Sequence, residues 1–360
     1  MPVIATLALL ACIPALALLR TPLWRSWGLG EGKVALTGSA LGALVWLGAS
    51  TAIPGVAESA LRWPIAALAA LAGYLCSDAA RSVAGRTISV SVFCALWCAL
   101  VFVPAAVLVF FPATFGFTIS SSVWDLGGAV PVHVAGGAAM LALLRIRSAR
   151  AARAGRGLAA EVGAVDARPG HVRQPSMVVV AGLVLWLGWA VALVALDMAI
   201  DSVTPLILRN ALVVPLASVA GWLVVEHIRT RRSTLRGAAG GLVGGLVAVT
   251  PAGGSLSIVW AVALGVIVGI ACGASALGGP ARGVPSADRG LMRYQVATHL
   301  LAGSIGLLWV GLFGDGGGFV YTGQFSTVQV QLAVTIAVAG WGYVVAVLLS
   351  PMLRPRHPSR

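Results

Sequence analysis

The sequence predicts an all-α polytopic membrane protein of eleven transmembrane helices, arranged as two five-helix inverted repeats plus one final helix. Three observations predict it. Of the 360 residues, 59% are hydrophobic and only 10% are charged, a balance far from that of soluble domains. Apolar runs of about 17–25 residues recur along the whole chain, each long enough to cross the hydrocarbon layer as a helix. The arginines between them fall almost entirely in alternate connections, as the positive-inside rule requires.

In chain order the spans are read at 3–20, 34–53, 63–84, 88–111, 126–146, 177–199, 205–227, 236–251, 255–277, 295–314 and 328–350. The first has a signal-like apolar core but no charged leading region and no clean small-residue cleavage site, so it is read as a span. With the N-terminus outside, the inner connections hold Arg20, Arg25 and Lys33; Arg81 and Arg86; Arg145 to Arg173; Arg229 to Arg236; Arg282 to Arg293; and Arg354 to Arg360. Only Arg62 and Arg209 then lie outside, and the odd count places the C-terminus in the cytoplasm. The polar connection 148–176 divides residues 1–147, the first five-helix repeat, from 177–314, the second; 328–350 is the last helix of a single membrane domain. An odd number of spans per repeat inverts the second copy, and such pairs hold their sites near the bilayer midplane at the repeat interface.

The formal charge of +13 calls for no nucleic-acid partner, because its basic residues sit between spans where they face anionic lipid. Cys12, Cys76, Cys94, Cys98 and Cys272 lie in or beside apolar segments, which argues against a disulfide framework or a zinc site. No nucleophile–base pair and no phosphate loop is found, so enzyme chemistry, a cofactor and a metal site are not expected.

Two segments carry ionisable groups at membrane depth, where each is costly unless a cavity or partner receives it. In Trp124-Asp-Leu-Gly-Gly-Ala-Val-Pro-Val-His133, an acid precedes an imidazole by eight residues, about 12 Å of helix. Asp125 reads first as the cap of a helix start and second as an outer mouth for cations. The other segment, Ala297-Thr-His-Leu-Leu-Ala-Gly303, holds His299. Both histidines are followed four residues later by a glycine, Gly137 and Gly303, at matching places in the two halves. Two neutral imidazoles can share a proton and line a narrow apolar pore without fixed charge, whereas two ligands alone fall short of a metal site. Glycines are also dense at 127–137, 237–245 and 314–318, where they read first as close helix packing.

These residues resemble the ammonium transporter (Amt/Rh) family. Asp125-Leu-Gly-Gly-Ala-Val-Pro-Val-His133 is similar to its Asp-Phe-Ala-Gly-Gly-x-Val-x-His signature, and Leu185-Trp-Leu-Gly-Trp189 to its Leu-Trp-x-Gly-Trp-Phe run. Asn210, Gly221-Trp222, Glu226, Val249-Thr-Pro-Ala-Gly253 and Gly311-Leu-Phe313 follow at the family's intervals. The resemblance implies a homotrimer with one pore per subunit and transport of ammonium or ammonia past His133 and His299, with Trp189 beside them and Asp125 as the outer acid. It also shows departures. Ala192 and Leu196 stand where the family places a gate phenylalanine and a serine, Phe110 stands for a cage tryptophan, and Leu300 replaces the second histidine's glycine neighbour. Phenylalanine attracts cations less than tryptophan, so the resemblance implies a wider, more apolar vestibule with weak cation binding. The alternative to transport is a non-conducting or altered-substrate membrane sensor or scaffold on the same fold. Relatives are commonly blocked by PII signal proteins docking on the cytoplasmic face. Pro351 and Pro355 break the short tail, so binding of a PII protein is expected to be absent or altered.

Overall fold

A computed structural model describes residues 1–24, 29–83, 87–115, 123–153, 175–278 and 287–353. Eleven long helices account for most of them: α1 Pro2–Trp24, α2 Leu29–Thr51, α3 Arg62–Arg81, α4 Thr87–Phe110, α5 Ala129–Arg153, α6 Pro175–Leu196, α7 Thr204–Thr230, α8 Leu235–Val249, α9 Ile258–Leu277, α10 Ala287–Phe313 and α11 Ser326–Leu349. Nine are long and apolar enough to span a bilayer, and the apolar parts of α2 and α8 are shorter. The chain is a multi-pass membrane protein. Most of the 148–176 connection and the tail from 354 onward lie outside the described residues.

Contacts in the first half recur five helices later. α2 packs on α3 and α4, α3 on α4 and α1; α7 packs on α8 and α9, α8 on α9 and α6. α1 pairs with α6 and α5 with α10 across the two halves, while α11 covers α5 and α10. The centre of each half is a small-residue helix. Every residue of α3 from Pro64 to Ala80 is buried, and α8 buries Gly237 and all of Val243–Val249. Small side chains allow this: with little side-chain entropy to lose and no bulk, alanine- and glycine-rich helices bring backbones together where lipid gives no hydrophobic drive. Large apolar side chains face outward instead, among them Val180, Leu187, Val224 and Ile336, each at least half exposed. In a membrane that exposure is lipid contact.

Several polar residues at the ends of the spans are held by neighbouring segments. Arg62, near the start of α3, donates to Ser50 Oγ and the Leu47 carbonyl. Arg209 donates to Asn210 Oδ1 and the Leu256 carbonyl. Of the two arginines that the charge pattern leaves outside, Arg62 is therefore tied to α2 and Arg209 to the connection between α8 and α9. Asn210 Nδ2 donates to the carbonyls of Gly253 and Leu256, both at 2.9 Å, and so fixes the turn after α8. Glu226 accepts from the Thr234 amide and hydroxyl, joining the end of α7 to the start of α8.

Candidate functional site

The helix carrying His133 does not begin at Asp125. It begins at Ala129, after a turn in which Gly128 takes a left-handed φ of 78°, a conformation that favours glycine. Asp125 stands before the turn and closes it, its two carboxylate oxygens accepting the Ala129 and Val130 amides at 2.7 Å each. These are orphan donors of a first turn, and a carboxylate is well suited to them. His133 is thus not reached from Asp125 by eight residues of regular helix; a turn intervenes.

The first turn, Ala129–Val134, is π-helical rather than α-helical. Pro131 is tolerated there because its missing N–H would be unpaired anyway. His299 lies in a second π-helical stretch, Val296–Leu301, inside α10. Such wide turns interrupt regular helices most often where a side chain must be re-aimed, and here each one carries a histidine. The two rings meet between α5 and α10: Nδ1 faces Nδ1 at 3.2 Å, with centroids 5.2 Å apart and planes tilted by 17°. Both residues are buried.

Close backbone approach makes the meeting possible. A Cβ added to Gly137 would lie 2.5 Å from the Leu300 amide nitrogen, whereas one at Gly303 would meet His133 Cβ at an ordinary 3.4 Å. The two glycines of the repeated pattern are not equivalent. These contacts also show that α5 and α10 run antiparallel, since 133 faces 303 while 137 faces 300.

Trp189 packs beside the pair, its ring centroid 5.7 Å from that of His133. Its Nε1 donates to Thr250 Oγ1 at 3.0 Å, and that hydroxyl donates to the Leu246 carbonyl. The Thr250 carbonyl accepts the Gly127 amide at 3.1 Å. Thr250 therefore binds the tryptophan, the end of α8 and the Asp125 turn into one unit. In the sequence Thr250 stands only within Val249-Thr-Pro-Ala-Gly253, which does not reveal this role; its hydroxyl at the head of Thr250-Pro251 is the available signal. Phe110 lies over the same turn, its nearest ring atom 3.3 Å from where a Gly128 Cβ would stand. Ala192 and Leu196 are buried on α6, one and two turns beyond Trp189. Among the described residues no cluster of three or more His, Cys, Asp or Glu could hold a metal.

The profile of the Ammonium Transporter Family matches residues 66–354. The chain belongs to the ammonium transporter family. An ammonium transporter of Mycobacterium bovis is 28% identical over 282 residues, covering 73% of this chain and 55% of that protein. Ammonium transporter 1 of Schizosaccharomyces pombe is 28% identical over 283 residues, covering 74% of this chain and 52% of its own length. The chain thus spans little more than half the length of these curated relatives. Among solved structures, Mep2 of Candida albicans superposes with a TM-score of 0.76 at 20% identity, covering 98% of this chain and 85% of that one. A sensor Amt protein gives 0.73 at 16% identity, covering 96% and 90%. Both show the ammonium-transporter fold.

Proposed function

We propose that the protein carries ammonium or ammonia across a cell membrane through a pore that passes His133 and His299. One observation carries the reading: two buried imidazoles in direct Nδ1–Nδ1 contact, on the antiparallel helices where the two halves meet. When neutral rings share that bond, one Nδ1 holds the proton and the other accepts it. The first ring's Nε2 is then an acceptor and the second's a donor. His133 Nε2 is buried with no protein partner. A small solute with N–H groups and a lone pair can use both roles in turn, while the pair offers no fixed charge to trap a cation. Trp189 walls the pair, and Asp125 holds the turn that aims His133.

The five-helix halves, 1–147 and 177–314, form inverted repeats, with the Asp125 face outside and the C-terminus in the cytoplasm of a bacterial inner membrane. A homotrimer seated in lipid is the assembly the family implies. Ala192 and Leu196 leave the approach to Trp189 without a phenylalanine gate or a serine, which favours weak outer cation binding. The same substitutions favour the second reading, a sensor or scaffold of low flux, and the likeness in fold to a sensor Amt protein is compatible with it. Uptake of radiolabelled methylammonium by vesicles holding the full chain tests the two. Uptake well above that of empty vesicles, unsaturated at micromolar ammonium, is expected; uptake equal to empty vesicles leaves the sensor reading standing.

A further inference from the structure

The antiparallel run of α5 and α10 puts Asp125 at one end of the histidine pair and Gln295, one turn before His299, at the other. α3 follows the same axis: Leu68 reaches the Gly128 turn and Asp78 reaches Gln295. A cavity opens on this side, lined by Tyr74, Leu75, Val243, Tyr294, Gln295 and His299. Its remaining walls are leucines and Thr298, whose hydroxyl donates to the Tyr294 carbonyl of its own helix. Gln295 and Asp78 are each 6% exposed. Gln295 Nε2 donates to Asp78 Oδ2 at 2.8 Å, and Gln295 Oε1 is buried with no hydrogen-bond partner.

The carboxylate decides which way the amide faces. With Gln295 Nε2 donating to Asp78 Oδ2, the NH2 group faces Asp78 and the carbonyl oxygen points away from it. A buried amide oxygen without a partner is unfavourable, and native structures seldom leave one unless something visits it. We propose that Gln295, oriented by Asp78, is a second polar station for the N–H groups of the transported solute, receiving it on the side of the histidine pair away from Asp125. The inference rests on the transport reading above and adds the residue that accepts the solute next. Its chemistry is that of a hydrogen-bond acceptor for small amines and ammonia. Asp78 is a positioning residue.

The test uses vesicles holding the full chain, with ammonium and methylammonium as probes. Gln295→Met keeps the side-chain length and removes the acceptor; Asp78→Asn lets the amide turn either way. With wild-type flux above empty vesicles, Q295M should carry about tenfold less, and D78N should shift the ammonium-to-methylammonium rate ratio by about threefold. Each variant is first compared with wild type by elution in detergent, and if Q295M does not elute alike, D78N alone decides. Unchanged rates and ratio in both variants, or a lower rate with an unchanged ratio, overturn the inference while leaving transport intact. No flux in wild type removes the transport reading and this inference with it.

Discussion

His133, His299, Trp189 and Thr250 form a chain of contacts in which each side chain limits the freedom of the next. Trp189 cannot rotate away from His133 without breaking its bond to Thr250 Oγ1. Trp189→Phe and Thr250→Val each remove that bond; the first should lower stability by about 1 kcal/mol, the net worth of one buried hydrogen bond, and the second by more, because it also removes the bond to the Leu246 carbonyl. Because they delete the same interaction, the double variant should lose less than the sum, as chemical unfolding in detergent would reveal. Strict additivity would show the bond to be idle. The acid and the two histidines were legible as residues, since ionisable side chains in apolar spans stand out. What the histidines touch was not, because hydrogen-bond partners 166 residues apart leave no local trace in a sequence. Thr250 was hidden for a related reason. Its hydroxyl serves two elements that are remote in the chain, and a threonine before proline reads equally well as a plain turn.

At the scale of elements, apolar run length located the helices, but not the way two of them are wound. The reading treated the approach from Asp125 to His133 as regular helix; the structure has a left-handed glycine turn and then a π-helical turn. Pro131 was a visible hint for the first π turn, whereas Val296–Leu301 contains neither proline nor glycine to betray the second. The unequal glycines give a sharp prediction. Gly137→Ala presses on the Leu300 backbone, so it should cost about 1–3 kcal/mol and lower transport by pushing the histidines apart. Gly303→Ala adds a methyl at ordinary contact distance and should change stability by less than about 1 kcal/mol. Thermal unfolding and methylammonium uptake of both variants check this, and equal effects at the two sites would contradict the packing described. Asp125→Ala should cost about 1–2 kcal/mol through the lost cap, and Asp125→Asn, which still accepts a bond, should cost less; equal losses would assign the effect to charge.

For the whole molecule, the run of apolar segments gives the number of long helices, and the alternation of arginines gives an expected orientation. Orientation itself is a matter of labelling. In a background without cysteines, Ser202→Cys between α6 and α7 should react with an impermeant maleimide from outside intact cells, and Ser233→Cys between α7 and α8 only after lysis. Reaction of both from one side would break the topology. The departures at Ala192, Leu196 and Phe110 were readable only against the family's pattern, because nothing in alanine or leucine announces a missing gate. The central claim is that the His133–His299 pair is the conducting element, and transport with electrical recording in reconstituted vesicles addresses it directly. With His133→Ala and His299→Ala combined, the proton-sharing contact is gone. Methylammonium uptake should then fall at least tenfold, or the current should change from a saturable, ammonium-selective one to one that admits other small cations, because the uncharged donor–acceptor pair no longer sorts them. Uptake, current and selectivity all equal to wild type in the double variant would contradict the account.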